Sequence, residues 1–282
     1  MAGTAIVTDS AACLSAASVR EHQIEVVPYQ LVWDGQVYLD GQDLTPGEFY
    51  RKFRSCQTYP TTATPTAGHF AAAYRRAAER ADSIAVLVLP QTLTSTYLVA
   101  RQAAEGFDIP IQIVDAGTAA CAQGFVVLAA ARAADGGASL QQVVAAAEDC
   151  RARVGMFFAM ETLEHLRRGG RIGRAATLLG ARLSIQPVLT LAGGQVQPVA
   201  VHQRRRSAID RVVKEVHRAV KGRPIRTAIF HADVPTEAAQ LADRVRHEFH
   251  CVECTVSEFT PVMGAHTGPG IIGICYCIEG AR

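Results

Sequence analysis

The chain has 282 residues, 49% of them hydrophobic and 19% charged, enough to build one large or two medium domains with real cores. Its net charge of only +2 argues against general nucleic-acid binding, and no run of eighteen apolar residues offers a membrane span. The opening MAGTAIVTDSAACL lacks the basic start and apolar core of a signal peptide, so a cytoplasmic protein is expected.

In chain order, AIVTD reads as a short apolar strand and about 11–22 as a helix. IEVVPYQLVW is extended and turns at Asp34-Gly35, as a hairpin does. LTPGEFYRKF opens with a capping box: Thr45 is the N-cap, Pro46 the first helical residue and Glu48 the partner three residues after the cap. TPTAGHFAAAYRRAAER (helix), SIAVLVLP (strand), TSTYLVARQAAEG (helix) and IPIQIVDA (strand) follow. Strands this uniformly apolar, separated by helices, predict a parallel sheet covered on both faces.

Two alanine-rich helices fill 117–153; Gly136 and Gly137 stop the first and Ser139 caps the second. Beyond them the pattern becomes a mixed sheet. GMFFAME is a strand, TLEHLRRGGRIGRAATLLGARLS holds two short helices around a Gly-Gly break, and IQPVLTLAGGQVQPVAVH is a hairpin turning at Gly193-Gly194. A helix, the strand IRTAIFHA, the helix PTEAAQLADRVRHEF and two more strands complete the chain. The change of pattern places a boundary near Gly155, giving domains of 1–154 and 155–282 with a cleft at their interface.

Charge and polar groups are unevenly distributed. Between 167 and 206 stand eight arginines (Arg167, Arg168, Arg171, Arg174, Arg182, Arg204, Arg205 and Arg206) and no Asp, Glu or Lys, a pattern suited to an anion-facing surface. Hydroxyls cluster in YPTTATPTAG and in LPQTLTSTY, at strand ends and helix starts where caps or ligand donors belong. His266 lies between FTPVM and IIGICYCI, where it cannot cap a helix; Gly264, Gly268, Pro269 and Gly270 predict a rigid turn that aims it. Such a histidine is either structural or a donor to a ligand.

The eight cysteines read as small buried hydrophobes rather than disulfides. HEFHCVEC, with His247, His250, Cys251 and Cys254 near Cys275 and Cys277, has ligand-like spacing. A regular strand would send Cys251 and Cys254 to opposite faces, and no glycine is present to make a knuckle, so no metal is expected. No phosphate-binding G-x-x-x-x-G-K-[ST], no G-x-G-x-x-G after a strand and no G-x-S-x-G is present.

IVTDSAACL, VVPYQLVWDGQVYLDGQDLTPGEFY, PTTATPTAGHF, LTSTY, TLEHLRRGGRIGRAATLLGARLSIQPVLT and GAHTGPGIIG, in that order along nearly the whole chain, resemble the DegV family, whose members act as acyl-binding subunits of bacterial fatty acid kinase. The resemblance implies a two-domain α/β fold: an N-terminal three-layer α/β/α parallel sheet and a C-terminal two-layer mixed sheet. A long-chain fatty acid would lie in a buried tunnel with its carboxylate at the interface. The same resemblance implies that Thr62, Thr94 and His266 hold the carboxylate, with Thr61 and Ser95 beside them, and that Arg171, Arg205 and Asp40 face the phosphate or the partner.

The chain departs from the family pattern in several places. Pro90 and Gln91 stand for two serines, Thr94 for Ser, Ser95 for Gly, and Ala63 and Thr64 for Ser and Gln, which predicts a head-group site that is rearranged or accepts another head group; Gln203 stands for an Arg, a departure on the phosphate side. The implied protein is not itself a catalyst. It has no cofactor beyond the bound fatty acid, and its partner is a separate ATP-dependent kinase subunit. Two other readings remain open: a stand-alone kinase-like enzyme acting on a small hydroxyl substrate, since the family's fold is similar to the substrate-binding part of dihydroxyacetone kinase, and a regulatory module using the arginine face.

Overall fold

A computed structural model describes residues 3–179 and 185–280. The apolar runs form its first sheet. β1 (Thr4–Asp9) is buried along its whole length, and with β2 (Glu25–Val27), β6 (Ser83–Val88) and β7 (Ile111–Asp115) it makes a four-stranded parallel sheet in the order β2-β1-β6-β7. Helices α3 (Ala67–Ala78) and α4 (Thr96–Ala104) cover one face, and α5 (Ala120–Asp135) and α6 (Leu140–Arg151) the other.

The helix expected over 11–22 is interrupted. Asp9 accepts hydrogen bonds from the amides of Ala11 (3.1 Å) and Leu89 (2.8 Å), which draws Ser10–Ala12 into a 3-10 turn. Cys13 then takes a left-handed conformation, and α1 (Ala16–Glu21) starts afresh from its own cap, Ser15. The hairpin at Asp34-Gly35 forms as read, joining β3 (Gln30–Trp33) to β4 (Gln36–Leu39); β5 (Thr61–Ala63) pairs with the other edge of β3. The capping box of α2 (Pro46–Arg54) is complete, and Phe49 and Phe53 pack on Trp33.

A second, six-stranded sheet begins at Val154. Its strands are β8 (Val154–Ala159), β9 (Gln186–Ala192), β10 (Gln195–His202), β11 (Ile225–His231), β12 (Cys251–Glu258) and β13 (Ile272–Ile278), in the order β10-β9-β8-β13-β11-β12. Only β11 and β12 run parallel. Helices α8 (Arg205–Val220) and α9 (Pro235–Glu248) cover one face. The other face receives α5, which therefore has a sheet on both sides. This explains why α5 carries no charged residue before Arg132 and buries ten of its residues: a helix apolar all round needs two partners.

Between β8 and β9, α7 (Glu164–Arg168) is followed by a 3-10 segment, Gly173–Leu178, packed on β10, where a second short helix was expected. The motif's end, including Arg182, lies outside the described residues. Cys251 and Cys254 do not point to opposite faces. A bulge lets Ile225 pair with Cys251 and Arg226 with Glu253, so both thiols reach α9, at the carbonyls of Val245 and Ala242. Among the described residues no group of three or more His, Cys, Asp or Glu is placed to hold a metal ion, and no helix is long and apolar enough to cross a membrane.

His266 is not in a turn. It stands in the last turn of a short helix, α10 (Pro261–Thr267), which ends at Gly268. Pro261 presets the helical start, and Gly264 lets the helix lie on α2: a Cβ there would come within 2.6 Å of the Phe49 ring and 2.7 Å of the Tyr50 hydroxyl. Gly264→Ala should therefore overpack the contact and cost roughly 1–3 kcal/mol. Urea unfolding checks this, and an unchanged midpoint would contradict the packing of α10 on α2.

Candidate functional site

The two sheets enclose an apolar cavity, about 910 Å³ when the solvent in its open mouth is counted. Leu89 and Leu93, which follow β6, and Ala120 at the start of α5 line it from the parallel-sheet side; Phe158, Leu191 and Phe230 line it from the mixed sheet. These are the loops beyond the carboxyl ends of parallel strands, where α/β sheets bind ligands. Val262, Met263, His266 and Thr267 of α10 complete the wall, at spacings that place them on one helical face.

The polar lining falls into three neighbouring sets of hydrogen bonds. Thr62 of β5 and His266 lie 2.7 Å apart, Oγ1 to Nε2, although 204 residues separate them. Thr64 Oγ1 is 3.5 Å from Thr94 Oγ1, which is 2.9 Å from Thr96 Oγ1, which in turn is 2.6 Å from the hydroxyl of Tyr29. Arg171 donates through Nε to the Leu93 carbonyl (3.2 Å) and through Nη1 to that of Gly169 (2.7 Å). No Asp or Glu lines the cavity, and Arg171 makes no ion pair among the described residues.

Burial, reinforced by the neighbouring Arg171 charge, lowers the pKa of His266 to about 4, so its ring is neutral at pH 7. Nδ1 is buried without a partner and packs against Gly169, where any side chain would strike the ring. In the tautomer with its proton on Nε2, the ring donates to Thr62 Oγ1 and leaves the Thr62 O–H free to donate onward. Burial, followed by the charge of Asp9, holds the Tyr29 phenol well above its ordinary pKa, so it too is a neutral donor. An uncountered guanidinium among neutral donors at one polar end of an apolar cavity suits an anion with an apolar tail.

A second, more polar recess, lined by Tyr59, Thr61, His165 and Arg168, shares Thr62, Arg171 and His266 with the cavity. Those three residues therefore stand between the two spaces. Arg168 stacks on Tyr59 at 3.9 Å and also pairs with Glu164.

The residues singled out from sequence are thus distributed unequally. Thr62, Thr94 and His266 meet at the cavity, Thr61 lines the recess, and Ser95 reaches the cluster only through Thr64 (3.3 Å). Arg171 faces both spaces rather than the outside alone. Asp40 is not at an exposed rim: it is 3% exposed, accepting from Ser10 Oγ (2.7 Å) and from the Val262 amide (3.0 Å) at the start of α10. Arg205 is held elsewhere, in a groove between α8 and α9, by Glu237 (2.9 Å). The arginine-rich stretch accordingly divides into separate places, and Arg167 and Arg168 are both paired with Glu164. Thr96 belongs to the hydroxyl cluster LPQTLTSTY read from the sequence, whereas nothing in that reading marks Tyr29. The one local signal near Tyr29 is Pro28, which falls in the break between β2 and β3.

The depressed pKa of His266 has a definite sign. Between about pH 4 and its ordinary value of 6.5 the unfolded chain binds a proton that the folded chain refuses, so the contribution is full above pH 6.5 and is lost as the pH falls toward 4. Asp9, raised to about 6 mainly by burial, acts in the opposite direction over part of that range, but it is common to wild type and variant. The stability difference between wild type and His266→Gln should shift by roughly 2–3 kcal/mol against wild type between pH 7 and pH 4.5. Urea titrations at both pH values measure it, and a constant difference would show that the ring is not buried in its neutral form.

Residues 3–279 match the family model described as "Uncharacterised protein, DegV family". A DegV domain-containing protein of Streptomyces coelicolor is 37% identical over 272 residues, covering 96% of each chain. Among solved structures, a DegV family protein from Thermus thermophilus, described by its fatty acid binding, is 32% identical with a TM-score of 0.93, over 98% of this chain and 100% of that one. DegV of Bacillus subtilis, described as a fatty acid binding protein, is 29% identical with a TM-score of 0.91, over 99% and 100%. In sequence and in fold alike, the chain belongs to the DegV family.

Proposed function

We propose that this protein encloses a long-chain fatty acid in the cavity, offers its carboxylate to a separate ATP-dependent fatty acid kinase subunit and carries the resulting acyl phosphate, without being a catalyst itself. In this reading it works in the cytoplasm without a further cofactor, and residues 1–154 and 155–282 are two domains that share the ligand. One observation carries the binding step: an apolar cavity with polar groups among its lining, in which Arg171 has no carboxylate to pair with among the described residues. Fatty acid binding by the relatives from Thermus thermophilus and Bacillus subtilis supports it. At ~0.8 kcal/mol per buried CH₂, a chain of about sixteen carbons gains roughly 10 kcal/mol before ordering costs.

The recess supports the presentation step. It reaches the same Thr62, His266 and Arg171 from the other side, so a phosphoryl donor could approach the carboxylate there while the tail stays enclosed. Arg168 and Arg171 supply positive charge along that approach.

Native mass spectrometry of the purified protein should find a co-purifying long-chain acid; protein that is empty and takes up no added fatty acid would overturn the binding reading. His266→Ala removes one donor of the cluster and should weaken a fatty acid by roughly 1.5–3 kcal/mol while leaving the alcohol of equal length nearly unaffected. Arg171→Ala should discriminate in the same direction. Equal losses for acid and alcohol would remove the carboxylate role from both residues. Loaded protein with ATP alone should turn nothing over. With the kinase subunit present, hydroxylamine should trap an acyl hydroxamate, and ATP turnover by the lone protein would favour an enzyme instead.

A further inference from the structure

Away from the cavity, the structure brings together two thiols that no part of the fatty-acid reading uses. Cys150 ends α6 one residue from its terminus, and Cys277 occupies the equivalent place in β13. Their sulfurs lie 3.6 Å apart although 127 residues separate them. Nη1 of Arg153 stands 3.9 Å from the Cys277 sulfur, and its guanidinium is also bound to Asp149 and to the Ile278 carbonyl.

We infer that Cys150 and Cys277 are a dithiol site that a small hydroperoxide converts to an intrachain disulfide, joining the last turn of α6 to the edge of β13. Three features of the geometry support this. The sulfurs already lie 3.6 Å apart, so closing the bond requires them to approach by only about 1.5 Å. Both residues are buried, and Cys150 stands in the last turn of its helix, where local opening admits a small oxidant. Arg153 places positive charge beside one sulfur and not equally beside the other, which distinguishes attacking and resolving roles. In keeping with that division, hydrogen bonding from Cys150, and then the Arg153 charge, lowers the pKa of Cys277, while the same hydrogen bond and burial raise that of Cys150.

In the first step the Cys277 thiolate attacks one oxygen of the peroxide. An S–O bond forms, the O–O bond breaks, and the leaving hydroxide takes a proton to become water. The Cys150 thiolate then attacks the sulfenic sulfur; the S–S bond forms, the S–O bond breaks, and a second hydroxide leaves as water. Two thiols and one hydrogen peroxide thus become one disulfide and two waters. The bond would tie the helical layer of the parallel sheet to a central strand of the mixed sheet.

The test uses the full chain exposed to hydrogen peroxide, quenched with iodoacetamide and digested without reductant. The dominant cross-linked peptide should join Cys150 to Cys277 with the loss of two hydrogens, and dithiothreitol should reverse it. The oxidised protein should melt roughly 5 °C or more above the reduced form, since the link closes a long loop. Cys150→Ser should leave Cys277 as a sulfenic acid that dimedone captures. Cys13, Cys121 and Cys275 form a second thiol group that serves as an internal comparison. Recovery of Cys150 and Cys277 separately alkylated, or a dominant cross-link within the second group, would overturn the assignment, and neither outcome depends on a variant folding.

Discussion

The candidate site depends on one buried carboxylate. Asp40, at the end of β4, accepts the amide hydrogen of Val262 and so caps the start of α10, which carries His266 one turn further on. That single bond joins the loops around the parallel sheet to a helix inserted between two strands of the other sheet. Burial raises the pKa of Asp40, but the hydrogen bonds from Ser10 and the Val262 amide work against that rise, so the group's desolvation is offset within the joint it makes. With α10 fixed at this end, His266 and Thr62 meet across 204 residues of chain.

The second determinant is α5. A helix charged on one side would have packed on the parallel sheet alone and left the mixed sheet to find another cover. Because its apolar surface continues all the way round, the two sheets share it, and the cavity lies at its N-terminal end, at Ala119 and Ala120. Gln123 of α5, fully buried, donates to Asp9 at 3.1 Å and ties the helix to the end of β1. The apolar walls and the polar groups of the cavity are thus built from the same few joints.

Thr62, His266 and Arg171 each have two sides, one toward the cavity and one toward the recess. A bound anion held there would be enclosed in its apolar part and approachable in its polar part. Such a group would meet one arginine, tethered by backbone carbonyls rather than by an acid, and neutral hydroxyl, phenol and imidazole groups. Leaving the arginine without an internal carboxylate keeps its charge available, at the cost of a less comfortable empty state.

Much of this was legible in the sequence because it is local. Apolar runs gave the parallel strands, Thr45 with Glu48 and Ser139 gave helix starts, Asp34-Gly35 and Gly193-Gly194 gave hairpins, and the threonine clusters with His266 marked a polar site, since caps, turns and burial on both faces are set by neighbours in the chain. What the tertiary structure decided are relations that no spacing encodes. Only packing could place Asp40 inside rather than at the rim, carry Arg205 away to the α8–α9 groove, bring Arg171 and Tyr29 to the cavity, or put Cys150 against Cys277. Even the bulge that turns Cys251 and Cys254 to one face depends on pairing with β11, and the helix around His266 depends on a cap supplied from residue 40. Burial and charge pairing are sums over surroundings that the chain assembles only when folded, which is why residue types announced a site and its geometry had to be seen.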